Sequence, residues 1–448
     1  MKVIADLHLH SPYSRATSPR LGFPNLELWA RIKGIGLLGT GDCTHPLWLK
    51  EFECQMDETG EGLYTLKKKV CDTFAAASDI TVPGAGTPRF VLTGEISTIN
   101  KRGGRIRKVH HLVLLPDFRA AIAFNARLEG MGGNIRSDGR PILGMDPKDL
   151  LAMLLETDER AVLIPAHIWT PWFSVLGEKS GFDSIGECYG DLAPNVPSIE
   201  TGLSSNPPMN WALGGLDRFS IISNSDAHSP DKLGREATIF EIGDSWSSLR
   251  QALFSCSPRS ANARFGNANL GNANLGNAIL GTIEFFPQEG KYHYDGHRKC
   301  GVYLGPQAAR AVGFLCPVCG RPLTRGVMSR VLELADRPVD EMAPCPPGCE
   351  GGNRRPYYSL IPLRELCAEL LGAGMASKKA LAAYRGMIEK GGSEFSILMD
   401  KGMGDLERLE VPGLPGERIA RAIMKMRAGE VSVKTGYDGE YGRVHIRI

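Results

Sequence analysis

Short apolar runs rich in β-branched residues or Leu recur over roughly the first 260 positions and become sparse afterwards. They are VIADLHLH from Val3, LLGTGDCTH from Leu37, RFVLTGE from Arg89, VHHLVLL from Val109, AVLIPAH from Ala161 and SIISNSDAH from Ser220. Runs of this length bounded by turn residues predict strands, and the stretches between them, near Leu26–Lys33 and near Leu63–Ala77, predict helices. Regular β–α alternation predicts a parallel sheet or barrel. Beyond residue 360 the period becomes helical, over Leu360–Leu371 and Ser377–Lys390, with few strand signals. The last such stretch, VPGLPGERIARAIMKMRAGEV, is a Gly-Pro turn followed by an amphipathic helix.

The polar residues that close these strands change the picture. Seven of the ten histidines, His8, His10, His45, His110, His111, His167 and His228, fall at predicted strand ends, beside Asp42, Glu95 and Asp226. Imidazole and carboxylate ligate Zn²⁺, Mn²⁺ and Fe²⁺, and His-x-His on a strand sends both rings to one side. Six such ends predict a multinuclear metal site. They also favour a barrel, where all strand ends converge on one mouth, over an open sheet. His110 and His111 alternate faces, so one of the two reaches the mouth, and His111 is the expected one.

Composition narrows the class. At 448 residues, 42% apolar and 23% charged, the chain is globular and large enough for two or three domains. No apolar run approaches 18 residues, and Met1-Lys2 leads straight into a strand, so neither a membrane span nor a secretory signal is expected. Eleven cysteines, some at metal-type spacing, fit a reducing cytoplasm rather than a disulfide scaffold. The net charge of +2 says little, but residues 291–330 hold seven Lys/Arg against Asp295 alone.

Five further features stand out. His297-x2-Cys300 and Cys316-x2-Cys319 have zinc-ribbon spacing; four protein ligands close the coordination, so that zinc is expected to be structural, the alternative being a chance His297 with the partner elsewhere, such as Asp295. Cys345 and Cys349 form a looser pair in a Pro/Gly-rich loop, either a half-site or chance. Residues 266–281, GNANLGNANLGNAILG, repeat a pentad too few times for a solenoid and predict a linker. Gly413 and Gly416 before Arg418 and Arg421 look like the hairpin of helix-hairpin-helix DNA binders, whose turn presents N–H groups to phosphate, though a Gly-Pro turn before any amphipathic helix gives a similar string. Lys101, Arg102, Arg105, Arg107 and Lys108, in a Gly-containing hairpin, are candidate phosphate guides, the alternative being a solvated loop.

The strand-end motifs resemble the PHP (polymerase and histidinol phosphatase) phosphoesterases over residues 1 to about 260. The resemblance implies a metal set of His8, His10, Asp42, His45, Glu95, His111, His167, Asp226 and His228, with Glu95, Asp226 and His228 central to catalysis. The family's Thr-Asp-His is here spread over Asp42 and His45, leaving open which of the two ligates. KYHYDGHRKCGV, CPVCGRPLTRGV, VLELADRP, IETGLSSNPPMNW and SNSDAHSPDKLGREAT are similar to the endonuclease Q family of DNA-repair nucleases over nearly the whole chain. That similarity implies hydrolysis of DNA on the 5′ side of uracil, hypoxanthine, xanthine or an abasic site, leaving 3′-hydroxyl and 5′-phosphate. The ions implied are Zn²⁺ in the ribbon and Zn²⁺, Mg²⁺ or Mn²⁺ in the barrel. A flipped base would need a pocket, for which Trp169, Trp172, Ser204 and Ser205 are candidate walls, core or lid packing being the equal alternative for the two tryptophans. No sliding-clamp motif is recognisable near the C-terminus.

The expected fold is thus α/β: a PHP-type distorted barrel over 1–262, a linker over 263–281, a zinc module over 282–356 and a helical DNA-binding domain over 357–448. Two rival functions share some of these features. A small-molecule phosphatase needs neither the ribbon nor the basic C-terminal third. A DNA-binding helicase-accessory protein has no use for nine metal-type ligands.

Overall fold

The computed structural model describes residues 1–75, 80–256, 278–340 and 354–446. Its main sheet starts with β1 (Lys2–Asp6), β2 (Leu37–Gly39), the hairpin β3 (Met56–Gly60) and β4 (Leu63–Leu66), and the long pair β5 (Arg89–Arg102) and β6 (Arg105–Leu115). β7 (Ile142–Leu143) and β8 (Val162–Pro165) join it, while β9 (Ser198–Glu200) and β10 (Ser220–Ile222) form a separate parallel pair. β11 (Ala237–Glu241) and β12 (Ala278–Glu284) continue the main sheet, β13 (Asp295–His297) and β14 (Val302–Leu304) make a small ribbon, and β15 (Tyr357–Ser359) returns to the main sheet. β16 (Val431–Lys434) and β17 (Arg443–Ile446) close the chain as an antiparallel pair.

The barrel is irregular. β1, β2 and β5 run parallel, but β5 pairs β6 antiparallel over eleven residue pairs and β1 pairs β11 antiparallel. Purely parallel alternation is therefore not what forms. The segment expected as helix from Leu63 starts as strand β4, and the helix begins only at Lys68. The other helix signals appear close to their predicted places: Phe23–Lys33, stopped by Gly34 in the left-handed region, Leu363–Leu370, and Lys378–Gly391, capped by Ser377.

The modules interlock. β12 pairs antiparallel with β11 and parallel with β15, so the last four residues of the expected linker, Ala278–Gly281, are strand. The rest of the pentad repeat, and Cys345 and Cys349, lie outside the described residues. One buried cluster runs from Phe23 and Phe90 through Leu363 and Met387 to Ile423 and Ile446. An enclosed ion pair, Lys33 to Glu394 at 2.9 Å, fixes the contact, and Tyr384 donates to the same carboxylate at 2.7 Å. No helix among the described residues is long and apolar enough to cross a membrane.

Candidate metal centre

β1 ends at Asp6, and the chain continues extended, tied by Leu7 N–H to Asn224 Oδ1 (2.7 Å) and His10 N–H to Ala227 O (3.1 Å). Leu7 and Leu9 enter the core, and the alternate positions bring His8 and His10 together, ring centres 5.8 Å apart. His8 Nδ1 donates to both oxygens of Glu200 at 3.0 Å, which points Nε2 toward Glu95 (3.7 Å) and Asp226 (3.8 Å). That Nε2 is buried and has no hydrogen-bond partner. His10 is oriented in the same way, Nδ1 donating to Asp42 Oδ1 at 3.1 Å while Nε2 lies 3.1 Å from Asp226 Oδ1.

Glu95, on β5 and fully buried, is the hub. Its Oε1 lies 2.6 Å from His110 Nδ1 and 3.2 Å from His167 Nε2, and its Oε2 lies 3.5 Å from His10 Nε2 and 3.1 Å from Arg140. Burial alone would raise this carboxyl, but His110, His8 and Arg140 hold it well below the usual range. Asp226 is likewise held low against burial by His10 and His8. Burial opposes charge on His10, yet Asp226 and Asp42 pull its imidazole up to about 9. Two donor groups result, His8–His10–Glu95–Asp226 and Glu95–His110–His167, the atoms of each within 4.8 Å of one another. Two carboxylates facing four imidazoles, with one ring nitrogen orphaned, is a donor set suited to divalent cations sharing Glu95.

Several expected ligands sit elsewhere. Asp42 stands behind His10, accepting from Ser11 N–H (2.7 Å), Ser11 Oγ (2.6 Å) and Ser14 Oγ (2.8 Å). Gly139 roofs it so closely that a Cβ there would lie 2.1 Å from Asp42 Oδ2. Asp42 therefore orients His10, as carboxylates commonly do for metal-binding histidines. His45 precedes the helix Pro46–Gln55, stacks on Tyr13 at 4.4 Å and lies 3.1 Å from Arg136 O through Nε2, outside both donor groups. His111 is the larger correction. It faces inward between Thr98 Oγ1 (2.9 Å) and Tyr189 Oη (2.8 Å), and its neighbour His110 occupies the site, because the alternation runs opposite to the expected phase. His228 stays at the rim, 4.6 Å ring to ring from His10. Arg140 belongs to no motif, and Glu200, though it lies in the segment IETGLSSNPPMNW, is not singled out as a site residue by the sequence. Glu200 closes β9 as a strand-end acid, the same signal that marks Glu95; Arg140 lies in a loop and leaves no signal.

Three residues here, Asp42, His167 and Asp226, hold φ of 46°, 31° and 48°, the left-handed region that costs a non-glycine residue on the order of 1 kcal/mol or more. Arg235 helps hold the last of these, donating to Ser225 O at 2.8 Å and Asp226 O at 3.4 Å. A cavity of about 530 Å³ opens above the donors, walled by His110, Arg140, His167 and Asp226 within and by Trp172 and Ser204 farther out. Trp169 is not a wall: it is core, its indole N–H bound to Asn210 Oδ1 at 2.9 Å. Ser205 is also turned away, donating to Thr201 O.

His297, Cys300, Cys316 and Cys319 meet as a second four-donor group, with Cys319 Sγ 3.4 Å from His297 Nδ1. Asp295 is occupied otherwise, accepting from Gly326 N–H and Ser329 Oγ. The basic residues around it divide. Arg330 is buried against Leu176 O, Phe182 O and Asp183, docking the module on the barrel, while Arg298, Lys299, Arg310 and Arg321 are exposed. In the β5–β6 hairpin, Arg102 binds Asp146 and Cys188 O, Arg107 is buried over Phe182 at 4.3 Å, and Lys101 and Arg105 are exposed. Near the C-terminus, Met403–Glu407 and Gly416–Arg427 flank a turn closed by mutual Val411–Leu414 backbone bonds. Gly416 is required there, since a Cβ would lie 1.6 Å from Glu407 O. Arg418 and Arg421 are exposed, whereas Arg427 is spent on the carbonyls of Ile397, Leu398 and Lys401.

An irregular strand-end barrel carrying His/carboxylate clusters defines a metal-dependent hydrolase of the PHP type. No protein-family model matches the chain. Among solved structures it is similar to the lesion-specific endonuclease of Pyrococcus furiosus, 30% identical with TM-score 0.79, covering 100% of this chain and 96% of that one. It is equally similar to endonuclease Q in complex with a 27-mer duplex bearing an abasic lesion at the active site, 30% identical with TM-score 0.78, covering 100% and 97%. An uncharacterised protein of Methanocaldococcus jannaschii is 28% identical over 63% of this chain, a stretch that spans only 32% of that longer relative. An uncharacterised Bacillus subtilis protein is 25% identical over 99% of both. The chain belongs to the endonuclease Q family.

Proposed function

We propose that this protein is a DNA-repair endonuclease that hydrolyses the phosphodiester on the 5′ side of a deaminated base or an abasic site, leaving 3′-hydroxyl and 5′-phosphate. The observation that carries the reading is the open cavity sharing His110, His167 and Asp226 with the two donor groups, in a chain 30% identical throughout to a lesion-specific endonuclease.

His8, His10, Glu95 and Asp226 would hold one divalent ion and Glu95, His110 and His167 a second; Zn²⁺ suits the imidazoles, with Mn²⁺ or Mg²⁺ as alternatives. Such ions, when bound, supply Lewis acidity and an activated water. The chain supplies the rest. Glu200 and Asp42 fix the tautomers of His8 and His10, so that both present Nε2 to the site. Arg140, partly exposed beside Glu95, faces the cavity where a phosphate oxygen would lie. Trp172 and Ser204 line space for a base rotated out of the helix. The His297–Cys319 group would hold a closed structural zinc.

The test is a labelled duplex with one uracil, hypoxanthine or abasic site, incubated with metal-stripped protein restored with each ion in turn. A single nick 5′ of the lesion is expected; cleavage of p-nitrophenyl phosphate without DNA nicking would overturn the reading. The duplex face is tested separately. Because phosphate contacts release counterions, Arg418→Ala/Arg421→Ala is expected to make the salt dependence of binding shallower by about one unit per lost contact. Unchanged slope would place the DNA path elsewhere.

A further inference from the structure

Asp226 reaches the other donors from a loop that leaves β10 after Ile222 and returns as β11 at Ala237, past the end of β1. Its left-handed φ of 48° is a conformation that a non-glycine residue keeps only where its surroundings enforce it. The main restraint is a carboxylate that belongs to neither donor group. Asp6, the last residue of β1, stands two positions before His8, on the alternation that brings His8 and His10 together. It is fully buried and spends one oxygen on each end of the loop. Oδ1 accepts from Ser225 N–H at 3.0 Å, and Oδ2 accepts from Gly234 N–H at 2.9 Å.

Arg235 closes the other side, donating to Ser225 O at 2.8 Å and to Asp226 O at 3.4 Å. The peptide units on both sides of Ser225 and the one after Asp226 are thus each tied. The far flank of the loop is braced by the C-terminal part of the chain. On the helix Leu363–Leu370, Glu365 pairs with Lys232 at 3.2 Å and Arg364 with Asp231 at 3.6 Å. Gly234, with φ of 68°, packs so closely that a Cβ would lie 3.0 Å from the Phe395 ring. Held there, Gly234 gives the Asp6 carboxylate a firm anchor at one end, while its other oxygen holds Ser225.

We infer that Asp6 is a positioning residue for the metal site: anchored at Gly234, it sets Ser225 where the Asp226 carboxylate turns toward His10 Nε2 (3.1 Å) and His8 Nε2 (3.8 Å). The run Asp6–His10 then supplies two donors and seats a third. The inference rests on the metal-hydrolase reading above and deepens it. A purely structural acceptor would make the same two bonds, since buried amides need partners in any case. The two roles separate in how changes at Asp6 and Asp226 combine.

The experiment uses the full chain and compares wild type with Asp6→Asn, Arg235→Lys, Asp226→Asn and the double variant Asp6→Asn/Asp226→Asn. Asparagine keeps the shape of Asp6 but turns an NH₂ group toward one of the two amides, which releases one end of the loop. Metal held by the barrel is read by competition with a chelator, nicking of a uracil duplex gives kcat and KM, and melting curves check the fold. Asp6→Asn is expected to weaken barrel metal affinity roughly 10- to 100-fold, the range for a group that orients a ligand, and to lower kcat with KM nearly unchanged. Arg235→Lys keeps the charge and loses the fork, and should show a smaller loss of the same kind. Because Asp6 acts through Asp226, adding Asp6→Asn to Asp226→Asn should cost little further affinity. Wild-type metal affinity in a folded Asp6→Asn, or full and independent losses in the double variant, would overturn the positioning role. If Asp6→Asn does not fold, Gly234→Ala displaces the anchor instead, and the same cycle with Asp226→Asn decides. A wild type that holds barrel metal and never nicks lesion DNA would overturn the nuclease reading alone, while coupled metal losses in the same variants would still uphold Asp6.

Discussion

The barrel cluster and the cysteine ribbon are both metal-type sites, and they are built in opposite ways. The barrel draws its donors from positions as far apart as His8 and Asp226, buries His8, His10 and Glu95 completely, and backs the histidines with Glu200 and Asp42. The ribbon takes all four donors from residues 297–319, leaves Cys319 exposed, and among the described residues has Ala309, Cys316 and Leu323 as its own small buried core. In the first, the fold pre-forms the site, and long-range placement leaves one face open to a cavity. In the second, little apolar surface is enclosed, and an ion held by the four donors would supply folding free energy. An open, fold-supported site suits chemistry; a closed, ion-supported one suits architecture.

The strongest challenge to that contrast is Asp226→Asn. It should cut nicking of lesion DNA by roughly 10³-fold or more, as when one member of a catalytic group is lost, with the melting curve nearly unchanged. A near wild-type rate in the purified variant would show that the open site does not perform the reaction. Replacing Cys316 and Cys319 together by Ser should do the reverse, releasing one zinc per chain and lowering the melting temperature by several degrees. If metal content and melting both held, the ribbon would not be ion-supported. Glu200→Gln probes the backing of the open site, where loss of such a partner should weaken metal affinity or activity by roughly 10- to 100-fold. Equal metal retention and rate would mean that Glu200 merely packs.

The smallest effect concerns a carboxyl buried without cations. Burial pushes Glu284 up to about 8, against the opposing bonds from Ser223 and Thr201, whereas Glu95 at a similar depth is held low by its imidazoles and Arg140. A folded value above the unfolded one means that stability is fully present below about pH 4.5 and declines as pH rises through about 8. Glu284→Gln should remove that decline, so its melting temperature should gain roughly 1–3 °C on wild type between pH 5 and pH 8. Parallel melting curves across that range would show that Glu284 ionises without penalty.

Much of the open site was legible in the sequence, because His and acid at the ends of apolar runs are rare enough to mark themselves. His8, His10, Glu95, His167 and Asp226 fall together as that signal implies. Facing was not legible. His110 and His111 are adjacent on one strand, and only the register of β6 against β5 and β8 decides which ring turns to the cavity. Nor does a strand-end acid reveal whether it will ligate or orient: Asp42 is enclosed by Ser11, Ser14 and Gly139, contacts set by loops far apart in the chain. The ribbon was legible from spacing because its donors are local. Basic residues were the least legible, since a guanidinium spent on carbonyls, as in Arg107 or Arg427, reads like one left in solvent.

β15 brings a different kind of consequence. It belongs to the C-terminal part of the chain, yet it supplies the outermost strand of the main sheet by lying along β12. A fragment ending near residue 356 would leave β12 with a bare row of amide and carbonyl groups, a ready template for self-association. Such a fragment is expected to pair with copies of itself or precipitate. Loss of DNA binding on truncation would then report an unprotected edge and not a missing contact, so dissection of this chain has to proceed by single substitutions within the intact molecule.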